Sequence, residues 1–190
     1  MDIALPSSIA LFSLYYIVHI VYMLVVKDSM VLIHLAKMQI LTDSCMYFGN
    51  VLIPTKVYEE TVIDGKKKGH ADALIIEQTI GSNLIKIQEV KDKKKVDNLR
   101  IFGLHLGEAE AVALYFQERA QFLATDDDTC RRNRIILGIN IIGSPAIVVT
   151  LFRNDTITKS KAHDCVSALE TIGWFDIEVT YEMKRQIEKG

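Results

Sequence analysis

LGEAEAVALYFQERAQFLATDDDTCRR, Leu106 to Arg132, decides the fold. Ala109, Val112, Ala113, Phe116 and Ala120 recur at helical spacing, which predicts a helix over 108–119 that begins just after Gly107. Glu108 and Glu110 then lie in or near its first turn. Gln121 to Thr125 follows as a short buried strand, and the chain leaves it through Asp126, Asp127 and Asp128 before a basic helix. A helix followed by a strand with acids at its carboxyl end is half of a βαβ unit, and open α/β sheets place their clefts at those strand ends.

Upstream, the β-branched run Leu24 to Lys27 hands Asp28 and Ser29 to a helix whose apolar face is Val31, Leu32, Leu35, Ala36 and Met38. Either polar residue would serve as its N-cap. After an apolar piece around Cys45 to Phe48 and a Gly49-Asn50 turn, Val51 to Ile53 reads as a second strand. Pro54 suits the first turn of the next helix, which carries Val57, Glu59, Glu60, Thr61 and Ile63 and ends near Gly65. A basic link, Lys66 to His70, leads to a helix over 71–80, then to a third strand containing Leu84, Ile85, Ile87 and Val90. Lys91 to Arg100 reads as a polar loop. Downstream, a short helix over 129–137 presents Arg131, Arg132 and Arg134 and is closed by Gly138. A fifth strand over 139–142 and three helices over 146–152, 159–171 and 177–188 complete the chain, with Trp174 and Phe175 pinning the last helix. This order predicts an α/β fold with a parallel sheet covered on both faces, followed by extra C-terminal helices from about residue 146.

With 190 residues, 49% of them hydrophobic, the chain can bury a full core and suits one domain plus an appendage. A net charge of −2 supplies no global basic field, so a nucleic acid would have to be held by local patches. Cys45, Cys130 and Cys165 lack a CxxC spacing, which argues for a reducing, cytoplasmic setting and against disulfides or a zinc ribbon. From Ala4 to Val26 there is no charged residue. That length would cross a bilayer as a helix, with the body on the cytoplasmic side. Residues 1–22 fit an upstream extension from a wrong start assignment better than such a membrane anchor, and a buried or docking helix least, with the domain proper at 23–190.

Dinucleotide, P-loop, serine-hydrolase and zincin motifs are missing. What remains are carboxylates from separate elements: Asp28 after strand one, Glu60 in the helix after Pro54, Glu108 and Glu110 in the central helix, Asp126 and Asp127 after strand four. Each alone has a plainer role as a helix cap, a dipole partner or a solvated residue. Converging at one sheet edge, they would repel one another unless a divalent cation intervened, and an all-oxygen set suits Mg²⁺ or Mn²⁺.

Four segments in order, VVKDSMVLIHLAK, VLIPTKVYEE, LGEAEAVALY and LATDDDTCRR, resemble the motifs of PIN-domain nucleases over roughly Met23 to Leu151. The likeness is greatest to the prokaryotic branch with a GEAEA-type third motif and a TDD-type fourth. The resemblance implies a three-layer αβα sandwich around a central parallel sheet. It also implies an Mg²⁺- or Mn²⁺-dependent endoribonuclease, often the toxin of a toxin and antitoxin pair and often a homodimer. Its acids fall on Asp28, Glu60, Glu110 or Glu108, and Asp127 or Asp126, with Ser29 and Thr125 as polar neighbours. The third acid of the family is more often aspartate, which leaves Glu108 and Glu110 as alternatives. Lys66, Lys67, Lys68, the run from Lys91 with Lys93, Lys94 and Lys95, and Arg131, Arg132 and Arg134 are the candidate RNA phosphate contacts. The competing readings are a non-catalytic PIN-like RNA- or protein-binding module and a small phosphohydrolase. Ser29-Met30 after Asp28 lacks the second aspartate of a DxD nucleophile.

Overall fold

A computed structural model describes residues 23–172 and 175–189. The expectations for residues 1–22 and for Trp174 lie outside them. Five parallel strands form one sheet in the order β3-β2-β1-β4-β5: β1 Leu24–Lys27, β2 Asn50–Pro54, β3 Lys86–Gln88, β4 Phe122–Ala124 and β5 Ile141–Ile142. Val26 pairs with Leu52 on one side and Leu123 on the other, so β1 is central. The chain moves outward from β1 to β3 and then returns to the other side of β1. The crevice between the ends of β1 and β4 is therefore the switch point at which open α/β sheets bind ligands.

The helices are α1 Ser29–Lys37, α2 Leu41–Phe48, α3 from Thr55 to Lys67, α4 Ala71–Gly81, α5 Lys93–Arg100, α6 Leu106–Gln117, α7 Asp128–Leu137, α8 Ser144–Arg153, α9 Lys159–Ile172 and α10 Ile177–Lys189. Strand alternation divides the core in two. Val25, Ile53 and Ala124 face a cluster with Leu35, Ile76, Ile147, Val166 and Met183, while Val26, Leu52 and Leu123 face Val96, Leu99, Val112 and Leu114. The result is the three-layer αβα sandwich, with the C-terminal helices packed into the first cluster.

Several local expectations are corrected. Lys91 to Arg100 is no loop: Asp92 accepts from Lys95 N at 3.0 Å and caps α5, whose Val96 and Leu99 bury one face. Two apolar residues three apart were its only sequence signal, outweighed by the lysines. Pro54 closes β2 in an extended conformation and stands as the N-cap of α3 rather than inside its first turn. α3 does not stop near Gly65. A π-helical segment, Glu59–Asp64, lies between Thr55–Tyr58 and Gly65–Lys67, and a Cβ on Gly65 would meet the Ala73 Cβ at 2.9 Å. α6 starts at Leu106, so Gly107 lies within its first turn. Leu24, Val25 and Val26, the end of the apolar N-terminal run, belong to β1, and among the described residues no helix is long and apolar enough to cross a membrane.

Lys27 is the largest departure from a purely apolar core. It is 0% exposed, its Nζ donates to Ser44 Oγ at 2.6 Å and lies 5.1 Å from the centre of the Phe48 ring. Burial lowers its pKa to about 8 from 10.5, partly offset by the neighbouring Cys45. Because the folded value lies below the unfolded one, stability rises with pH between about 8 and 10.5 and carries the full cost of the buried charge below 8. That shift corresponds to roughly 3 kcal/mol. The double variant Lys27→Met with Ser44→Ala removes both the charge and the hydroxyl it satisfies. It is expected to melt higher than wild type at pH 7 and to lose the alkaline rise; an unchanged or lower melting temperature would show that the lysine contributes net stability.

Candidate active site

Asp28 follows β1 directly, and its backbone N–H is tied to Ala124 O of β4 at 3.0 Å. Its Oδ1 accepts from Val31 N at 3.0 Å, so it caps α1 while lying almost fully buried. Across the crevice, Asp127 caps α7 through Cys130 N at 2.7 Å. Thr125, fully buried, joins the two acids: its hydroxyl donates to Asp28 and accepts from Asp127 N at 3.1 Å. Glu60 reaches in from the π-helical segment of α3, with Ser29 Oγ donating to its Oε2 at 2.7 Å. Glu108, in the first turn of α6, accepts from His105 N at 2.8 Å.

Asp28, Glu60, Glu108 and Asp127 line one cavity of about 100 Å³ together with Ser29, Met30, His105 and Gly107. Gly107 makes room for it: a Cβ there would come within 2.6 Å of Glu60 Oε2. Burial raises the pKa of Asp28 to about 7, opposed by the Thr125 and Val31 hydrogen bonds and reinforced by Asp126 and Glu108. Glu108 is also held above the usual carboxylate range, first by burial and then by Asp127 and Glu60 among its neighbours. Acids this close and this poorly solvated are costly without a cation.

A family model described as a PIN domain matches residues 24–189. The chain belongs to the PIN-domain family. No curated protein and no solved structure matches it. PIN domains are generally nucleases and typically use divalent metals.

The donor set of this PIN domain fits such an ion in chemistry, being carboxylate oxygen throughout, with burial disfavouring the charged form of Asp28 that a cation would stabilise. Each acid also bonds to a protein donor, and no three His, Cys, Asp or Glu side chains stand at ligand spacing among the described residues. The site is a cluster of acids around a cavity rather than a closed cage. Gly107→Ala tests it, since the nearest atoms the methyl would meet are those of the Glu60 carboxylate, the end of a flexible side chain. The variant is expected to unfold close to wild type in chelator but to gain much less stability from Mn²⁺; equal gains would mean that Glu60 is not held toward the ion.

The other candidates are placed elsewhere. Glu110 is buried away from the cavity, accepting from Lys56 N at 3.2 Å and lying 3.6 Å from Lys93 Nζ, so it caps the start of α3 from a neighbouring helix. Asp126 faces the opposite side of its loop, where Ser144 N donates to Oδ1 at 2.8 Å and His34 Nδ1 meets Oδ2 at 2.8 Å. Buried Thr125 is unavailable to RNA and acts as a positioning group, while Ser29 is occupied by Glu60. Of the basic clusters, Lys66 pairs with Glu77, Lys67 with Asp64 and Arg132 with Asp128. Lys95 Nζ lies 4.0 Å from the centre of the Phe116 ring. Exposed Lys68 and Lys94, like these, do not line the acidic cavity or the space beside it, and Arg134 borders only a more distant groove. Arg131 alone of the predicted cations lines the space beside the acids. Sequence reasoning missed Gly107 as a clearance, His34, and Ser144 as the anchor of Asp126. The clearance was signalled only by a glycine inside a helical pattern.

Proposed function

We propose that this PIN domain is an Mg²⁺- or Mn²⁺-dependent endoribonuclease that hydrolyses RNA phosphodiester bonds. The observation that carries the reading is the convergence of Asp28, Glu60, Glu108 and Asp127, from four separate elements, on one cavity at the sheet's switch point. These four would hold the metal. A bound ion would supply an activated water and stabilise charge on the phosphodiester oxygens. The chain's own residues set the stage: Thr125 fixes Asp28 against Asp127, Ser29 orients Glu60, and the helix caps fix the remaining carboxylates. Arg131, beside the acids, is the predicted cation placed to contact the RNA.

The purified chain is to be incubated with mixed RNAs in Mg²⁺, Mn²⁺ or chelator. Cleavage in either metal and none in chelator is expected; equal cleavage in chelator would sink the metal mechanism. No cleavage under any condition would leave the non-catalytic binding module ahead. The motif likeness to the GEAEA and TDD branch extends the proposal to a toxin role with a protein antitoxin and a homodimer. Growth arrest on expression that depends on Asp28, together with the mass of the purified protein, tests both.

A further inference from the structure

Next to the acidic cavity lies a second one of about 300 Å³, lined by Met30, His34, Asp126, Asp127, Asp128, Arg131, Phe175, Asp176 and Val179. The two share Met30 and Asp127, so whatever occupies the second is contiguous with the reacting group in the first. We propose that this second cavity is a subsite for a guanine base adjacent to the scissile phosphate, a reading that rests on the ribonuclease assignment.

Its walls are those of a base pocket. Phe175 is half-buried, with its ring 5.7 Å from that of His34 in an edge-to-face arrangement, and Met30 and Val179 add apolar surface. Unstacked RNA bases are held on aromatic faces in this way. The polar groups select the base. Four acids, Asp126, Asp127, Asp128 and Asp176, border the space against one arginine, Arg131, which disfavours a phosphate there and suits a neutral group rich in donors. Asp126 accepts from Ser144 through both its N–H and its hydroxyl and is bonded to His34 Nδ1. Apart from Arg131 and His34, the ionisable side chains bordering the cavity are carboxylates, which accept.

Guanine is the base that matches. Its N1–H and N2–H₂ stand side by side, so the two oxygens of one carboxylate can take both, and its O6 and N7 acceptors suit an arginine. Adenine and cytosine offer a single amino group, and uracil one ring N–H between two carbonyls. Asp176, exposed at the rim and immediately after Phe175, is placed to take the two donors of a base stacked on that ring.

The test uses the full chain in chelator, titrated with GMP, IMP, AMP and UMP and followed by calorimetry. The four share a phosphate, so differences report the base. GMP is expected to bind tightest, IMP, which lacks only the 2-amino group, about tenfold more weakly, and UMP weakest. Phe175→Leu, which keeps apolar volume but removes the ring, is expected to lower GMP affinity about tenfold. Asp176→Asn, on the surface, is expected to erase the preference for GMP over IMP. Equal binding of all four nucleotides, or unchanged GMP binding in both variants, overturns the proposal. GMP-selective binding without any RNA cleavage would keep the pocket and sink the nuclease reading. Cleavage without base-selective binding would sink the pocket alone.

Discussion

Asp28→Asn is expected to abolish RNA cleavage, by on the order of a hundred- to a thousandfold or more, and to yield a more stable protein at pH 8. Asparagine caps a helix as well as aspartate, so the bond to Val31 N survives. What disappears is a buried charge beside Asp126 and Glu108. The folded pKa of about 7 lies above the unfolded value of 3.8, so the folded state keeps its proton while the unfolded state releases it. Wild-type stability without metal therefore falls as pH rises from about 4 to about 7 and is level above that, a loss of roughly 4 kcal/mol at most. The variant should lack this fall, matching wild type near pH 4 and exceeding it at pH 8. Mg²⁺ or Mn²⁺ should raise the melting temperature of wild type far more than that of the variant. Chemical denaturation at pH 4, 6 and 8, with and without metal, reads all of this. A variant that still cleaves at the wild-type rate would remove Asp28 from the mechanism.

The same residues show how much of the molecule was legible in the sequence. β1, β2 and β4 were readable because each is a short apolar run with a punctuating Asp, Pro or Asp triplet after it, and the positions of Asp28 and Asp127 followed from those ends. α5 was not readable, because its burial rests on Val96 and Leu99 amid mostly exposed lysines. Direction was the harder matter. Glu108 and Glu110, two residues apart on a helix, point to different sides, and only the packing of α6 against α3 says which meets Glu60 and which meets Lys56. Asp126 and Asp127 split in the same manner, one toward Ser144 and His34, the other toward the cavity. A doubled acid in a motif therefore gave two candidates where the fold uses one for the cavity and one as a brace.

Glu108→Gln and Glu110→Gln are expected to differ in kind. Glutamine at position 108 can still accept from His105 N, as the third residue of a capped helix commonly does, so α6 keeps its start. The charge facing Glu60, Asp127 and the cavity is lost. Cleavage should drop about a hundredfold or more, with the apo protein at least as stable as wild type above the carboxylate range and the metal-induced rise in melting temperature reduced. Glu110→Gln keeps an oxygen for Lys56 N and gives up only the 3.6 Å approach of a largely exposed lysine, so its activity should stay within a few-fold of wild type. Removing the acceptor altogether separates the roles further. Glu110→Ala leaves the partly buried Lys56 N–H without a partner and should cost about 1–3 kcal/mol of stability, while the folded fraction still cuts RNA. Single-turnover cleavage and denaturant melts on the same three proteins decide the matter. If Glu110→Gln loses more activity than Glu108→Gln, Glu110 is the third metal ligand, and the brace between α6 and α3 must open when the ion binds.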